Sequence, residues 1–330
     1  MTHPFAEYVR ILGKGHKGTR DLTQAEAAQA LSMILAREAE PVQVGAFLML
    51  MRVKEETGAE IAGFASAARA SLNLPTALPE VALDWPSYAG KRRQLPWFVL
   101  SALLLAGHGV PVLMHGIGGG TAGRVYVPDA LAALGIAPCA SPEHAAQQIK
   151  KTNFAYLPLA ALNPELQRLL DLKATLGLRS PMHTTVRMLN PFGAPASIAG
   201  IFHPGYDDLH QQAGALLGMK NLAVFKGEGG EAERNPDAVC NVKMLVAGEM
   251  VTEDWPALFS ARHLKDDAME VERMGSVWRG EMHDEYGEAA VIATAAIALR
   301  VLGRADTSDA AMKLARELWR DRSPLPLGEG

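Results

Sequence analysis

The chain has 330 residues, of which 48% are hydrophobic and 21% charged, with a formal net charge of −4. That is the profile of a soluble globular protein of one to three domains, and it excludes disordered and collagen-like classes. Cys139 and Cys240 are too few and too far apart for a disulfide framework or a metal site. They read as reduced, buried thiols. Residues 1–10 lack the basic-then-apolar pattern of a leader, and no apolar run approaches the ~20 residues of a membrane span. A cytoplasmic protein with no membrane association is expected.

Along the chain, the first seventy residues read as helices. Thr23-Gln-Ala-Glu26 is a capping box that opens a helix through Ala27, Ala30, Leu31, Ile34 and Leu35. Pro41 can open a second helix to about Lys54 as a first-turn proline. Thr57-Gly-Ala-Glu60 caps a third, to about Ser71. Asn73-Leu-Pro-Thr-Ala-Leu-Pro79 is a proline-punctuated linker. Beyond it, short apolar runs alternate with helical stretches: 109–114, 154–159, 197–202, 222–225 and 242–246. The alternation predicts an α/β sheet with helices on both faces. Residues 289–302 read as a buried apolar helix, and the Pro/Gly-rich 323–330 as a frayed tail. The expected organisation is therefore a helical domain over 1–75, a large α/β domain over 80–322, and the tail.

Many separate segments carry a resemblance. Asp21-Leu-Thr-Gln-Ala-Glu26, Pro41-Val-Gln-Val-Gly-Ala-Phe-Leu48, Arg52-Val-Lys-Glu-Glu-Thr57 and Glu60-Ile-Ala-Gly63 resemble the opening of anthranilate phosphoribosyltransferases and the related pyrimidine nucleoside phosphorylases, glycosyltransferase family 3. The match continues in 110–116, 129–135, Leu178-Arg-Ser180, Asn190-Pro-Phe-Gly193, 198–204 and Leu216-Leu-Gly218. The resemblance implies a small N-terminal helical bundle on a large α/β domain, nucleoside phosphorylase/phosphoribosyltransferase-like. It also implies homodimers paired through the helices and an active site in the cleft between domains.

The chemistry implied is transfer from phosphoribosyl pyrophosphate, with Mg²⁺ and a glycine loop holding the pyrophosphate. Active members carry Gly-Thr-Gly-Gly-Asp after the first strand, then Asn-Ile-Ser-Thr. Here the stretch is Asp84-Trp-Pro-Ser-Tyr-Ala-Gly-Lys-Arg-Arg-Gln-Leu-Pro-Trp-Phe-Val99. Only Gly90 remains of the glycines, and Phe98 and Val99 stand where hydroxyls are needed. Lys91, Arg92 and Arg93 offer charge in place of that amide geometry. The run His115-Gly116-Ile-Gly118-Gly119-Gly120-Thr-Ala-Gly123-Arg124 fits a His-Gly-Asn element with Ile117 in place of asparagine. Its glycines suit either anion contact or a mobile loop.

Arg179 stands where the family places an arginine beside the substrate carboxylate. His183 and Arg187 follow at spacings of four and eight, as if on one helix face. In Lys226-Gly-Glu-Gly-Gly-Glu-Ala-Glu233, the carboxylates Glu228, Glu231 and Glu233 occupy the region of a metal-binding Asp-Glu pair. They are hard donors for Mg²⁺ or a solvated acidic loop.

Two functions remain open. The Trp-Pro-Ser-Tyr-Ala-Gly and Leu-Pro-Trp-Phe stretches and Lys226–Glu231 resemble the divergent YbiB-like branch. That resemblance implies loss of phosphoribosyl transfer and binding of single-stranded nucleic acid with low sequence preference. Aromatics interleaved with Lys91-Arg-Arg93 suit it, as does a surplus of five basic charges over 84–187 against nine excess acidic charges over 228–288. The alternative is an active glycosyl- or phosphoribosyltransferase using phosphoribosyl pyrophosphate and Mg²⁺ on an unknown acceptor.

Overall fold

The computed structural model describes residues 2–15, 17–119 and 121–325. The chain opens with α1 (Ala6–Gly13), α2 (Gln24–Leu35), α3 (Pro41–Lys54) and α4 (Gly58–Ala70). Both threonine capping boxes form as the sequence predicts. Thr23 Oγ1 accepts from the Glu26 amide, and Thr57 Oγ1 from the Glu60 amide, with each glutamate reaching back. Glu60 does more than cap. Its carboxylate is buried and also accepts from the Leu22 amide and from Lys54, tying the start of α2 to α3 and α4.

The α/β part follows: β1 (Leu83–Ser87), α5 (Phe98–Gly107), β2 (Val112–Gly116), α6 (Val127–Ala133), α7 (Pro142–Thr152) and β3 (Phe154–Pro158). Four short helices come next: α8 (Leu159–Leu162), α9 (Pro164–Asp171), α10 (Lys173–Leu176) and α11 (Met182–Thr185). Then come β4 (Ala196–Ile201), α12 (Tyr206–Leu216), β5 (Asn221–Lys226), β6 (Cys240–Val246), β7 (Glu249–Trp255), α13 (Glu272–Arg279), α14 (Glu285–Val301) and α15 (Ser308–Arg320). The strands make one sheet in the order β3-β2-β1-β4-β5-β6-β7. The first five are parallel and the last two antiparallel. Helices cover both faces, as expected for parallel strands.

Two strands escape the sequence pattern. β1 is central and wholly buried yet contains Asp84 and Pro86. Its buried Asp84 is met by Ser197 Oγ at 2.8 Å from β4. β7 faces solvent along most of its length and is joined to β6 by a tight turn, with Ala247 at φ 52° and Gly248 at φ 90°, the left-handed pair that a two-residue hairpin demands.

One large core lies under α5, α13, α14 and α15. A second joins α1–α4 to Leu159, Leu162, Leu166, Leu169, Leu170 and Met182 of the later short helices. Residues near 159–190 thus share the interior of the N-terminal helices, so the first helical segment does not close its own core. α14 is buried along nearly its whole length, in line with its apolar sequence. Among the described residues no helix is long and apolar enough to cross a membrane.

Contact between α2 and α4 is close enough to require glycine. A Cβ on Gly63 would stand 2.2 Å from the Gln24 carbonyl oxygen and 2.8 Å from Ala27 Cβ. Gly45 in α3 has only Leu176 near it, at 3.9 Å. Gly63→Ala is expected to lose about 1–3 kcal/mol of unfolding free energy. Gly45→Ala is expected to gain up to about 1 kcal/mol from helix propensity. Urea unfolding of the two variants measures both.

Candidate anion site at the ends of the central strands

The strand order places β1 between β2 and β4, where the sheet's connections turn in opposite directions. In open α/β sheets ligands sit at the carboxyl ends of the strands at such a point. Here those ends carry the 88–95 loop after β1, His115 and Gly116 on β2, Gly200–His203 at and beyond the end of β4, and Gly227–Glu233 after β5. The 179–187 segment faces them from the helical side.

The carboxylates predicted for metal are used within the chain. Glu231 is fully buried, and its Oε1 accepts from the amides of Ala89 and Gly90 at 2.6 Å each. Glu233 Oε1 takes Lys91 Nζ at 2.5 Å, and its Oε2 takes the Phe98 amide at 2.9 Å. Glu228 lies 3.1 Å from Lys91 Nζ and accepts from the Arg92 amide at 3.2 Å. Among the described residues no group of three or more His, Cys, Asp or Glu side chains is placed to hold a metal. The metal assignment to Glu228, Glu231 and Glu233 is therefore corrected. Their charge is consumed by Lys91 and by backbone amides.

Lys91 is corrected for the same reason. It is 1% exposed, so it is an internal cation and not part of a phosphate-binding surface. Burial opposes its charge, but Glu233 and Glu228 outweigh burial and hold its pKa above the usual lysine range. Arg92 and Arg93 stay exposed.

His115 and Gly116 also leave the pocket. His115 is completely buried, with Tyr88 Oη 2.6 Å from its Nδ1 and Asp84 Oδ1 3.1 Å from its Nε2. A Cβ on Gly116 would meet the Ser87 carbonyl oxygen at 1.9 Å, so that glycine serves strand packing. Gly118 and Gly119 are on the surface, and Gly120 lies outside the described residues. Arg124 clamps the β1 loop: its Nη1 donates to the carbonyls of Ala89 and Gly90 at 2.8 and 3.1 Å.

Arg179, His183 and Arg187 do come together. They line one cleft with Arg52, Glu56, Phe202, His203, Tyr206, His210 and the Gly229-Gly230 turn. The expected single helix face is not how this happens. Arg179 precedes α11, because Pro181 disfavours helical backbone at the residue before it. Arg187 donates back to the His183 carbonyl and to Gly230 O at 3.4 Å.

Among the described residues, Arg52 and Arg179 have no hydrogen-bond or ion-pair partner. Burial and the charge of Arg124 lower the Arg179 pKa. Burial likewise lowers Arg187, against an opposing effect of Glu231 and reinforced by Arg179. Lys173, bonded to Thr121 Oγ1 at 3.2 Å, is lowered by burial and by Arg179 and Arg124. His183 is pushed down to about 3 by burial and then by Arg179 and Arg187. This is a concentration of positive charge whose members destabilise one another.

Sequence reasoning missed Arg52, Glu56, Lys173, Phe202 and Tyr206. Glu56 joins the two parts of the chain by accepting from Thr184 Oγ1 at 3.2 Å and Tyr206 Oη at 2.9 Å. No local signal marks it, because its partners lie 128 and 150 residues away.

Comparison with known proteins matches this architecture. Residues 6–72 match the glycosyl transferase family helical bundle domain, and residues 98–322 its a/b domain. Anthranilate phosphoribosyltransferase of Moorella thermoacetica is 29% identical, over 89% of this chain and 88% of that protein. The uncharacterized protein YbiB of Escherichia coli is 26% identical, over 73% and 76%. Anthranilate phosphoribosyltransferase from Thermus thermophilus superposes with a TM-score of 0.81 at 24% identity, over 94% of each chain. The Saccharomyces cerevisiae enzyme in complex with PRPP and Mg superposes at 0.77 with 17% identity, over 96% of this chain and 93% of that one.

Two outcomes follow from the buried charges. Lys91→Met strands Glu233 without its cation and should cost roughly 3–5 kcal/mol in denaturant unfolding, whereas Arg92→Met should cost little. His183 and His210, the latter held at about 4 chiefly by burial, are neutral in the folded chain. The unfolded chain takes up their protons near 6.5. Stability should therefore be greatest above about pH 6.5 and fall as pH drops toward 4, by about 1.4 kcal/mol for each unit separating the two states. His183→Gln should flatten that slope in unfolding series from pH 7 to 4.

Proposed function

The chain belongs to the glycosyl transferase family formed by this helical bundle and a/b domain, and on that premise we propose that it is a divergent member. In this reading it has set aside phosphoribosyl transfer and binds single-stranded nucleic acid, with little sequence preference, along the cleft. The observation that carries the reading is the cationic cleft itself. Arg52 and Arg179 are unpaired there among the described residues, and Arg179 and Arg187 are penalised by burial, so an anion in the cleft relieves both. Phosphates would run past Arg52, Arg179 and Arg187, with the exposed Arg92 and Arg93 extending the track beyond the β1 loop.

An aromatic wall supports the single-stranded form of the ligand. Phe202 is 48% exposed, and its ring stands edge-on to His203 at 5.0 Å. Unstacked bases bind to such faces, and most sequences are tolerated because every base has a π-face. Val42 and Val53 of α3 are 79% and 84% exposed. They support a homodimer paired through the N-terminal helices.

A second reading, a transferase using phosphoribosyl pyrophosphate and Mg²⁺, draws on the yeast neighbour solved with both. Against it stand Glu231, held on the amides of the β1 loop, and Glu228 and Glu233, held by Lys91.

Fluorescence anisotropy of a labelled single-stranded oligonucleotide tests the proposal. Affinity should fall with salt, with a log–log slope near −0.7 per phosphate neutralised. Arg179→Ala should weaken binding about tenfold or more. Arg92→Ala/Arg93→Ala should make the slope shallower by about one. No binding at low salt overturns the proposal, and calorimetric binding of phosphoribosyl pyrophosphate with Mg²⁺ would then favour the transferase.

A further inference from the structure

The end of β1 presents two successive amides, of Ala89 and Gly90, converging on one oxygen at 2.6 Å each. Gly90 adopts φ 69°, and convergent amides beside a left-handed glycine form the kind of concavity that binds anions. Arg124 fixes the same stretch from its carbonyl side. Arg179 and Arg187 both feel the charge of the anion that sits there. That anion is Glu231, brought in by the Gly227–Gly230 segment.

Its placement is built into the backbone. A Cβ on Gly200 would lie 2.2 Å from the Glu231 carbonyl carbon, and one on Gly227 would lie 1.8 Å from the Glu231 carbonyl oxygen. Both glycines are thus required to bring the chain this close. Yet the carboxylate is used by half. Oε1 takes both amides, while Oε2 is buried with no hydrogen bond. Glu231 does for the two amides no more than a formate ion would.

From this geometry we infer that the 89–90 amides form a latent oxyanion site, suited to a carboxylate or a single phosphate group, and that Glu231 is the residue that fills it and keeps free oxyanions out. Glu231 is then a specificity-determining residue of the cleft. Free anions are confined to the arginine side, and the β1 end is closed to them. This goes beyond the nucleic-acid reading and does not rest on it.

The test compares full-length wild type, Glu231→Ala and Glu231→Gln by thermal unfolding in chloride, formate and inorganic phosphate at matched ionic strength. In chloride, Glu231→Ala should melt below wild type, because two buried amides lose their acceptor. Formate or phosphate at about 100 mM should raise its Tm by several degrees more than that of wild type. Glu231→Gln keeps an acceptor oxygen for both amides, so it should melt near wild type and gain no more than wild type does. A folded Glu231→Ala protein that responds no more than wild type to either anion overturns the inference. Should that variant not fold in chloride, recovery of folded protein on dilution from denaturant into formate upholds it, and no recovery in either salt overturns it. Oligonucleotide binding by wild type, in which Glu231 is in place, reads the cleft proposal separately.

Discussion

A buried carboxylate on two backbone amides holds the two halves of the strand ends together. Glu231, on the loop after β5, grips the loop after β1 from 141 and 142 residues away. Beside it, Glu233 pins Lys91 and the first turn of α5. These contacts are buried and charge-assisted, so they are strong when complete and costly when one partner is removed. They set the path of residues 88–98, and through it the position of Arg124, whose guanidinium closes over the same loop.

The division of charge at the cleft follows. Acidic groups of the β5 loop are turned inward and neutralised by Lys91 and by amides. The basic groups of the 179–187 segment and of α3 then face the cleft, where they outnumber Glu56 in its lining. The charges of this region thus resolve into a compensated interior and a positive opening. Lowered pKa values at Arg179, Arg187 and His183 record the same fact, because burial and mutual repulsion outweigh the opposing charge of Glu231 at the two arginines. The family's fold is kept while the end of β1 carries a different occupant from a ligand.

The helical part contributes geometry as well as surface. Glu56, just after α3, reaches Thr184 and Tyr206, one on the cationic segment and one on the first turn of α12. Arg69 of α4 donates to the carbonyls of Met188 and Leu189. The two sides of the cleft are therefore held at a set spacing by polar bonds at its edge, while the apolar interior shared by α1–α4 and α8–α11 supplies the bulk of the burial energy.

Local signals in the sequence determined the threonine-capped helices, the apolar α14, and five of the seven strands, because capping and apolar runs act within a few residues. A many-segment resemblance carried the family. β1 was unreadable as a strand, since Asp84 and Pro86 oppose that pattern; Ser197 receives Asp84, and the pairing with β4 ends at Asp84, before Pro86. The charged residues could be found by type, but not sorted. Arg179, His183 and Arg187 were identified as a group, although a helix face was the wrong reason. Lys91 and the glutamates of 228–233 were identified as a surface and a metal site, and tertiary structure paired them with each other or with amides. A carboxylate is equally able to hold a metal, an ammonium or a backbone amide, and its sequence neighbours do not say which. Only the fold, by bringing residue 231 to residues 89 and 90, decided that.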